Sequence, residues 1–260
     1  MTYREAKILV KPNSTSDIMK RGIARTVCHE LAHQWFGNLV TMEWWNQLWL
    51  NEGVARFMEF VGIDSLFPEW DAWTEFVQSV YGLALSLDSM ESSHPVEVVV
   101  KSADEINEIF DAISYAKGAS IIRMISSHLG MDTFLEGMRL YLSRHAYGNA
   151  VTDDLWRALE EASGFPVVKF MKPWTLEVGY PILLLSVDGS MTAPRFFASG
   201  PEEGTATRWH CRAFGVSWGR LCRRSCCHQS FGVSWGFGGR RSVRSRRGRR
   251  NGESRRFRWL

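Results

Sequence analysis

The chain has 260 residues, 45% of them hydrophobic and 23% charged, with a net charge of +3. That is enough apolar material for one good core, or one core with appendages. No run of about eighteen apolar residues occurs, and the opening MTYREAKILVKPNSTSD lacks the apolar stretch of a signal peptide. These features set aside membrane-spanning and secreted classes and make a cytoplasmic location the expectation.

The charge is unevenly placed. Residues 201–260 contain fifteen Arg, no Lys and three Glu, a net of +12, which against +3 overall leaves −9 for residues 1–200. Four of the five cysteines, Cys211, Cys222, Cys226 and Cys227, lie in that same final stretch. Only Cys28 remains elsewhere, so no disulfide framework supports the longer part, and a lone Cys on a helix reads as a small buried hydrophobe.

The first informative element is HELAHQWFG, His29 to Gly37. Leu31 and Ala32 favour a helix, and Trp35 and Phe36 continue its apolar face up to Gly37. In a helix, His29 and His33 stand on one face, roughly 6 Å apart along the axis, and both rings reach one ion. Glu30 projects beside the pair, which suits a carboxylate that handles protons on a metal-bound water. Two solvated surface histidines would show the same spacing, so the pair alone leaves both readings open.

Eighteen residues separate His33 from Glu52, and Glu52 opens a second helical stretch, NEGVARFMEFVGI. Two helices joined by a Trp-rich loop bring Glu52 back to the ion. Two His and one Glu leave a fourth position for water, as a catalytic zinc site requires. Trp44, Trp45 and Trp49 in the loop read as core more readily than as pocket lining.

Further along, His94 precedes Pro95 in SSHPVEV and marks a loop. FDAISYAKGASIIRM places Tyr115 among Ile and Ala, where a tyrosine is ordinarily a packed residue with a satisfied hydroxyl. His128 and His145 lie in amphipathic helices and read as surface residues. In DLWRALEEASG, Leu155, Leu159 and Ala162 recur at helical spacing and Gly164 is placed to end the helix. PILLLSVDG reads as a strand and turn.

HELAH, then eighteen residues, then the Glu of WLNEG, with FGNLVTMEWW between and Tyr-x-Lys-Gly at Tyr115, resembles the M1 family of zinc aminopeptidases (gluzincins). The likeness is strongest to the puromycin-sensitive branch. It runs from Thr2-Tyr3-Arg4-Glu5 to about Gly179-Tyr180-Pro181. The resemblance implies zinc ligands His29, His33 and Glu52 for one Zn²⁺, Glu30 as general base, Tyr115 as the group that steadies the oxyanion, and peptides as substrates. Residue by residue the chemistry agrees. Two neutral imidazoles and one carboxylate leave the ion a net positive charge that acidifies water, and a tyrosine hydroxyl is a donor for a developing oxyanion.

The resemblance also implies a limit. In the family a Gly-x-Met-Glu-Asn motif, whose Glu binds the substrate's free amino group, lies just before the stretch matching Thr2-Tyr3-Arg4-Glu5. The chain as given is therefore expected to be a poor aminopeptidase, or a catalytically silent zinc-binding remnant, and to expose apolar surface.

The final stretch holds two copies of FGVSWG seventeen residues apart, followed by RRSVRSRRGRR. Three readings are open for it. Its arginines with Trp209, Trp218, Trp235 and Trp259 suit single-stranded nucleic acid. Cys222, Cys226, Cys227 and His228 suggest a zinc knuckle of non-standard spacing. The bland reading is a disordered or frame-shifted tail.

The expected fold is mainly α, a thermolysin-like zinc metallopeptidase catalytic segment with a short β start and a disordered Arg-rich tail. Residues 1–180 form the catalytic domain, incomplete at its N-terminus, residues 181–200 start a β segment, and residues 201–260 form the low-complexity tail. The expected partners are peptide substrates and no membrane, with nucleic acid an alternative for the tail alone.

Overall fold

Ser16 begins the ordered helical framework by accepting a hydrogen bond from the Met19 amide at 3.3 Å, an N-cap that satisfies one orphan N–H of the first helix, α1 (Asp17–Ala32). The computed structural model describes Met1, residues 3–185 and residues 191–200. The tail from 201 to 260, with both FGVSWG copies and the four C-terminal cysteines, lies outside the described residues.

The order after α1 is strand β1 (Val40–Met42), α2 (Leu48–Leu66), α3 (Ala72–Phe76), α4 (Gly82–Asp88), α5 (Gly118–Leu129) and α6 (Met131–Arg144). Strand β2 (Gly148–Ala150), α7 (Thr152–Ser163), α8 (Val167–Leu176) and the short pair β3 (Leu184–Leu185) and β4 (Met191–Thr192) complete it. Mainly helical architecture is thus what forms. The short β start is not. Glu5–Lys7 makes a 3₁₀ turn, and the amides of Lys7, Ile8 and Leu9 bond locally to Arg4 and Glu5 carbonyls. A strand needs a neighbour for its ladder, and no described residue pairs with this segment.

Two helix boundaries also differ from the sequence reading. Helix α1 stops at Ala32 with His33 as its cap, because the carbonyls of His33, Gln34 and Trp35 are taken by the amides of Asn38, Leu39 and Val40 in wide turns. Helix α2 starts at Leu48, four positions before Glu52, led in by the turn Trp45–Gln47. Helix α7 ends at Gly164 as expected, in a left-handed conformation with φ 65°.

Helix α2 is the central rod. Trp49, Val54, Ala55, Phe57 and Phe60 are essentially inaccessible, and burying side chains of this size stabilises by about 1.5–3 kcal/mol each as an upper figure. It is wrapped by α1, α3 and α5. Against α5 the approach is close enough to require two glycines. A Cβ on Gly53 would meet Gly118 Cα at 3.0 Å and the Ser114 carbonyl oxygen at 3.0 Å. The start of α2 is tied to α7 by polar contacts inside the core: Trp49 Nε1 donates to Thr152 Oγ1 at 2.9 Å, and the Thr152 amide donates to Gln47 Oε1 at 2.8 Å.

Strands β1 and β2 pair in parallel, Val40 with Gly148 through Met42 with Ala150. Strands β3 and β4 are antiparallel, so PILL enters a strand as read; its turn, 186–190, is not among the described residues. Among the described residues no helix is long and apolar enough to cross a membrane.

Candidate metal centre

Helices α1 and α2 pack side by side, and the face of α1 that carries His29 and His33 meets the second turn of α2, which carries Glu52. One ligand atom from each of the three lies within 4.8 Å of the others. His29 Nε2 and His33 Nε2 are 3.0 Å apart, and Glu52 Oε2 is 3.4 Å from each. Helical spacing brings the imidazoles together, and the Trp-rich turn reverses the chain to bring the carboxylate.

The far side of each ring decides whether those nitrogens can act as donors to a metal. His33 Nδ1 sits 3.0 Å from the Phe36 carbonyl oxygen. A carbonyl only accepts, so Nδ1 carries a proton and Nε2 is the nitrogen left to ligate an ion. His29 Nδ1 lies 3.3 Å from Glu59 Oε2, close enough for an ion pair though not aligned as a hydrogen bond. It too is turned away from the cluster. Two imidazole nitrogens with outer acceptors and one carboxylate oxygen form a donor set that suits zinc, and the residues present fit that ion.

The three groups also lean on one another. Burial works to lower the pKa of His29, but the carboxylates of Glu52 and Glu59 raise it to about 9. Burial works to raise that of Glu52, and hydrogen bonds from His29 and His33 together with His33 charge and the Tyr115 hydroxyl bring it down to about 2.

Glu30 follows His29 on α1 and opens into a cavity of about 360 Å³ lined also by His33, Gln34, Asn51 and Glu52. Tyr115 comes from a π-helical turn, Ile113–Lys117, that leads into α5. Its ring stacks near that of His29 with centroids 6.3 Å apart, and its hydroxyl faces Glu52. Burial, then the charge and hydrogen bond of Glu52 and the charge of Glu30, push the Tyr115 hydroxyl's pKa upward. It therefore stays a protonated donor. All five residues singled out from the sequence converge on one place.

Sequence reading missed Glu59. Its carboxylate is 2% exposed and is held by Arg25 Nε at 3.1 Å and Arg56 Nη1 at 2.6 Å. A signal was present, since Glu59 stands seven positions after Glu52 and thus on the same face of α2 two turns on. It also missed the partner of His94. The residue lies in a loop as expected, but its ring is 2.8 Å from Asp111. Of the tryptophans read as core, Trp49 is buried but Trp44 is exposed; His128 is exposed as read, and half-buried Cys28 has its thiol pKa raised by burial and by Glu59.

Comparison with known proteins places this geometry in a family. Residues 1–174 match the peptidase family M1 domain. The chain is 52% identical to Aminopeptidase M1 of Arabidopsis thaliana over 209 residues, covering 78% of this chain and 24% of that one. It is 52% identical to Aminopeptidase M1-C of Oryza sativa subsp. japonica over 189 residues, 73% of this chain and 21% of that one. It is 55% identical to the Saccharomyces cerevisiae protein named Aminopeptidase 2, mitochondrial, over 191 residues, 73% of this chain and 20% of that one. The chain thus spans about a fifth to a quarter of the length of these curated relatives. With a family match across two thirds of its residues, the chain belongs to peptidase family M1.

Proposed function

We propose that the chain is the catalytic segment of a zinc-dependent aminopeptidase, in which His29, His33 and Glu52 hold one zinc ion and the reaction is hydrolytic release of the amino-terminal residue from a peptide. The observation that carries the proposal is the convergence of three ligand atoms within 4.8 Å, flanked by Glu30 and Tyr115. Zinc at those donors supplies Lewis acidity, which lowers the pKa of water toward about 7.

The chain's own groups do the rest. Glu30, open to the cavity beside His33 and Glu52, takes the proton from attacking water and returns it to the departing amine. Tyr115 donates its hydroxyl hydrogen to the carbonyl oxygen as that oxygen gains charge. Glu59 and the Phe36 carbonyl keep both imidazoles turned with Nε2 toward the cluster. Peptide substrates and a cytoplasmic location belong to the same reading.

The test is hydrolysis of aminoacyl-amide substrates by purified chain carrying measured zinc, with Glu30→Gln as control. Stoichiometric zinc with turnover that Glu30→Gln removes supports the reading. Stoichiometric zinc with no turnover leaves a zinc-binding segment only, and absence of zinc binding overturns the reading altogether.

A further inference from the structure

Tyr115 leaves the backbone from a π-helical turn, and three successive amides of that turn end on one residue. Asp111 Oδ1 accepts from the amides of Ile113 at 2.9 Å and Ser114 at 3.1 Å, and the Asp111 carbonyl accepts from Tyr115 at 3.1 Å. Amides at a helix start have no partner within the helix. Asp111 therefore sets where the turn begins and the direction in which the Tyr115 ring departs.

The other oxygen of Asp111, Oδ2, lies 2.8 Å from His94 Nε2, and His94 Nδ1 lies 2.8 Å from the Pro95 carbonyl oxygen. Both neighbours of the ring are acceptors. A neutral imidazole carries one N–H, so only the doubly protonated ring satisfies both. The far end of the turn is held differently, by Lys117, whose Nζ lies 2.8 Å from the buried Asp88 Oδ2 and donates to the Gly179 carbonyl at 3.0 Å.

We propose that His94 and Asp111 form a positioning dyad for Tyr115, the imidazolium fixing the carboxylate that fixes the turn, so that the Tyr115 hydroxyl is aimed at the metal centre. The proposal rests on the reading of Tyr115 as the hydroxyl that meets the substrate carbonyl. The charged groups facing His94 are Asp111 and Lys117. The Asp111 hydrogen bond raises the His94 pKa against burial, the Pro95 carbonyl and the Asp111 charge add to the rise, and the like charge of Lys117 opposes it. The dyad accordingly loosens when His94 loses its proton.

The test uses the full chain with 3-fluorotyrosine at its six tyrosines, loaded with zinc, the Tyr115 fluorine resonance being identified by its loss in Tyr115→Phe. In His94→Gln and Asp111→Ala this resonance should shift and broaden while the other tyrosines and the zinc content stay as they were. In the unsubstituted chain it should also move as pH rises from about 5 to about 9, across the range in which histidine titrates, and His94→Gln should abolish that movement. A Tyr115 resonance unaltered in His94→Gln overturns the dyad, as does an equal change in all the tyrosines, which marks general loosening. In turnover, His94→Gln should lower kcat on the order of 10- to 100-fold, the scale of a small misplacement, with KM nearly unchanged, and should add nothing to Tyr115→Phe. Additive losses overturn the proposal. Failure of the unsubstituted chain to hydrolyse substrate counts against the proposed function and leaves the fluorine measurement to decide the dyad.

Discussion

Glu59 Oε2 stands 3.3 Å from His29 Nδ1, and the same carboxylate is gripped by two guanidinium groups, so it cannot swing away from the ring. An outer partner of this kind orients a metal-binding imidazole and strengthens its donor nitrogen. Glu59→Gln is expected to keep the fold and weaken zinc by about 10- to 100-fold, measured by competition with a chelator of known affinity. Equal affinity would detach Glu59 from the metal centre.

Glu52 contributes the only charged donor of the three candidate ligands. Glu52→Gln should therefore weaken zinc by more than the roughly 100-fold ceiling for an outer partner. Metal analysis after dialysis reads this directly, and full zinc retention would strike Glu52 from the set.

Glu30 and Tyr115 flank the donors without belonging to them. Glu30→Gln should retain zinc and lose most hydrolysis, whereas Tyr115→Phe should retain zinc and slow turnover by about 10²- to 10³-fold, the cost of one oxyanion donor. Zinc loss in Glu30→Gln would make it a ligand and not a base.

The His94–Asp111 pair gives stability a pH window. His94 is raised above its ordinary 6.5, so its contribution is complete below that value and is lost as pH climbs through the raised one. Asp111 is partly buried, which works to raise its pKa, but His94 and the Ser114 and Ile113 amides lower it below 3.8; its contribution is complete above that value and lost as pH falls through the lowered one. The pair thus stabilises most between 3.8 and 6.5. The thermal midpoint of His94→Gln should lie furthest below that of the unsubstituted chain inside this window and approach it in mild alkali. A gap that is constant across that range would show that the pair's ionisation does not matter.

Gly53 and Gly118 allow α2 to approach the turn that carries Tyr115. Gly53→Ala forces a methyl group against backbone atoms at 3.0 Å and should destabilise by about 1–3 kcal/mol, as overpacking does. Chemical denaturation checks this, and a neutral outcome would mean that the two helices part without cost.

What the sequence disclosed follows the range over which each constraint acts. His29, Glu30 and His33 were legible because helical spacing is local, and Glu52 because one loop and one helix return it. Tyr115 was not separable from the other tyrosines on chemistry alone, since its place depends on packing of α2 against a turn some sixty residues later; the family resemblance supplied it. Glu59 carries a signal in its spacing, seven positions from Glu52 on one face of α2. His94 reads as a loop residue, and nothing local announces that its ring reaches an aspartate seventeen positions on. The leading segment reads as extended, yet among the described residues no strand neighbours it, and the amides of Lys7, Ile8 and Leu9 bond to the carbonyls of Arg4 and Glu5.

The parallel pairing of Val40 with Gly148 carries a consequence for biosynthesis. The candidate ligands all precede residue 53, but the strand that braces the chain between them arrives about a hundred residues afterwards. At a ribosomal pace of about 5–20 residues per second, the nascent chain carries the candidate ligands for roughly 5–20 seconds before β2 is made and can pair with β1. During that interval the hydrogen-bonding edge of Val40–Met42 stands without the partner it has in the folded chain, an opening for wrong pairing.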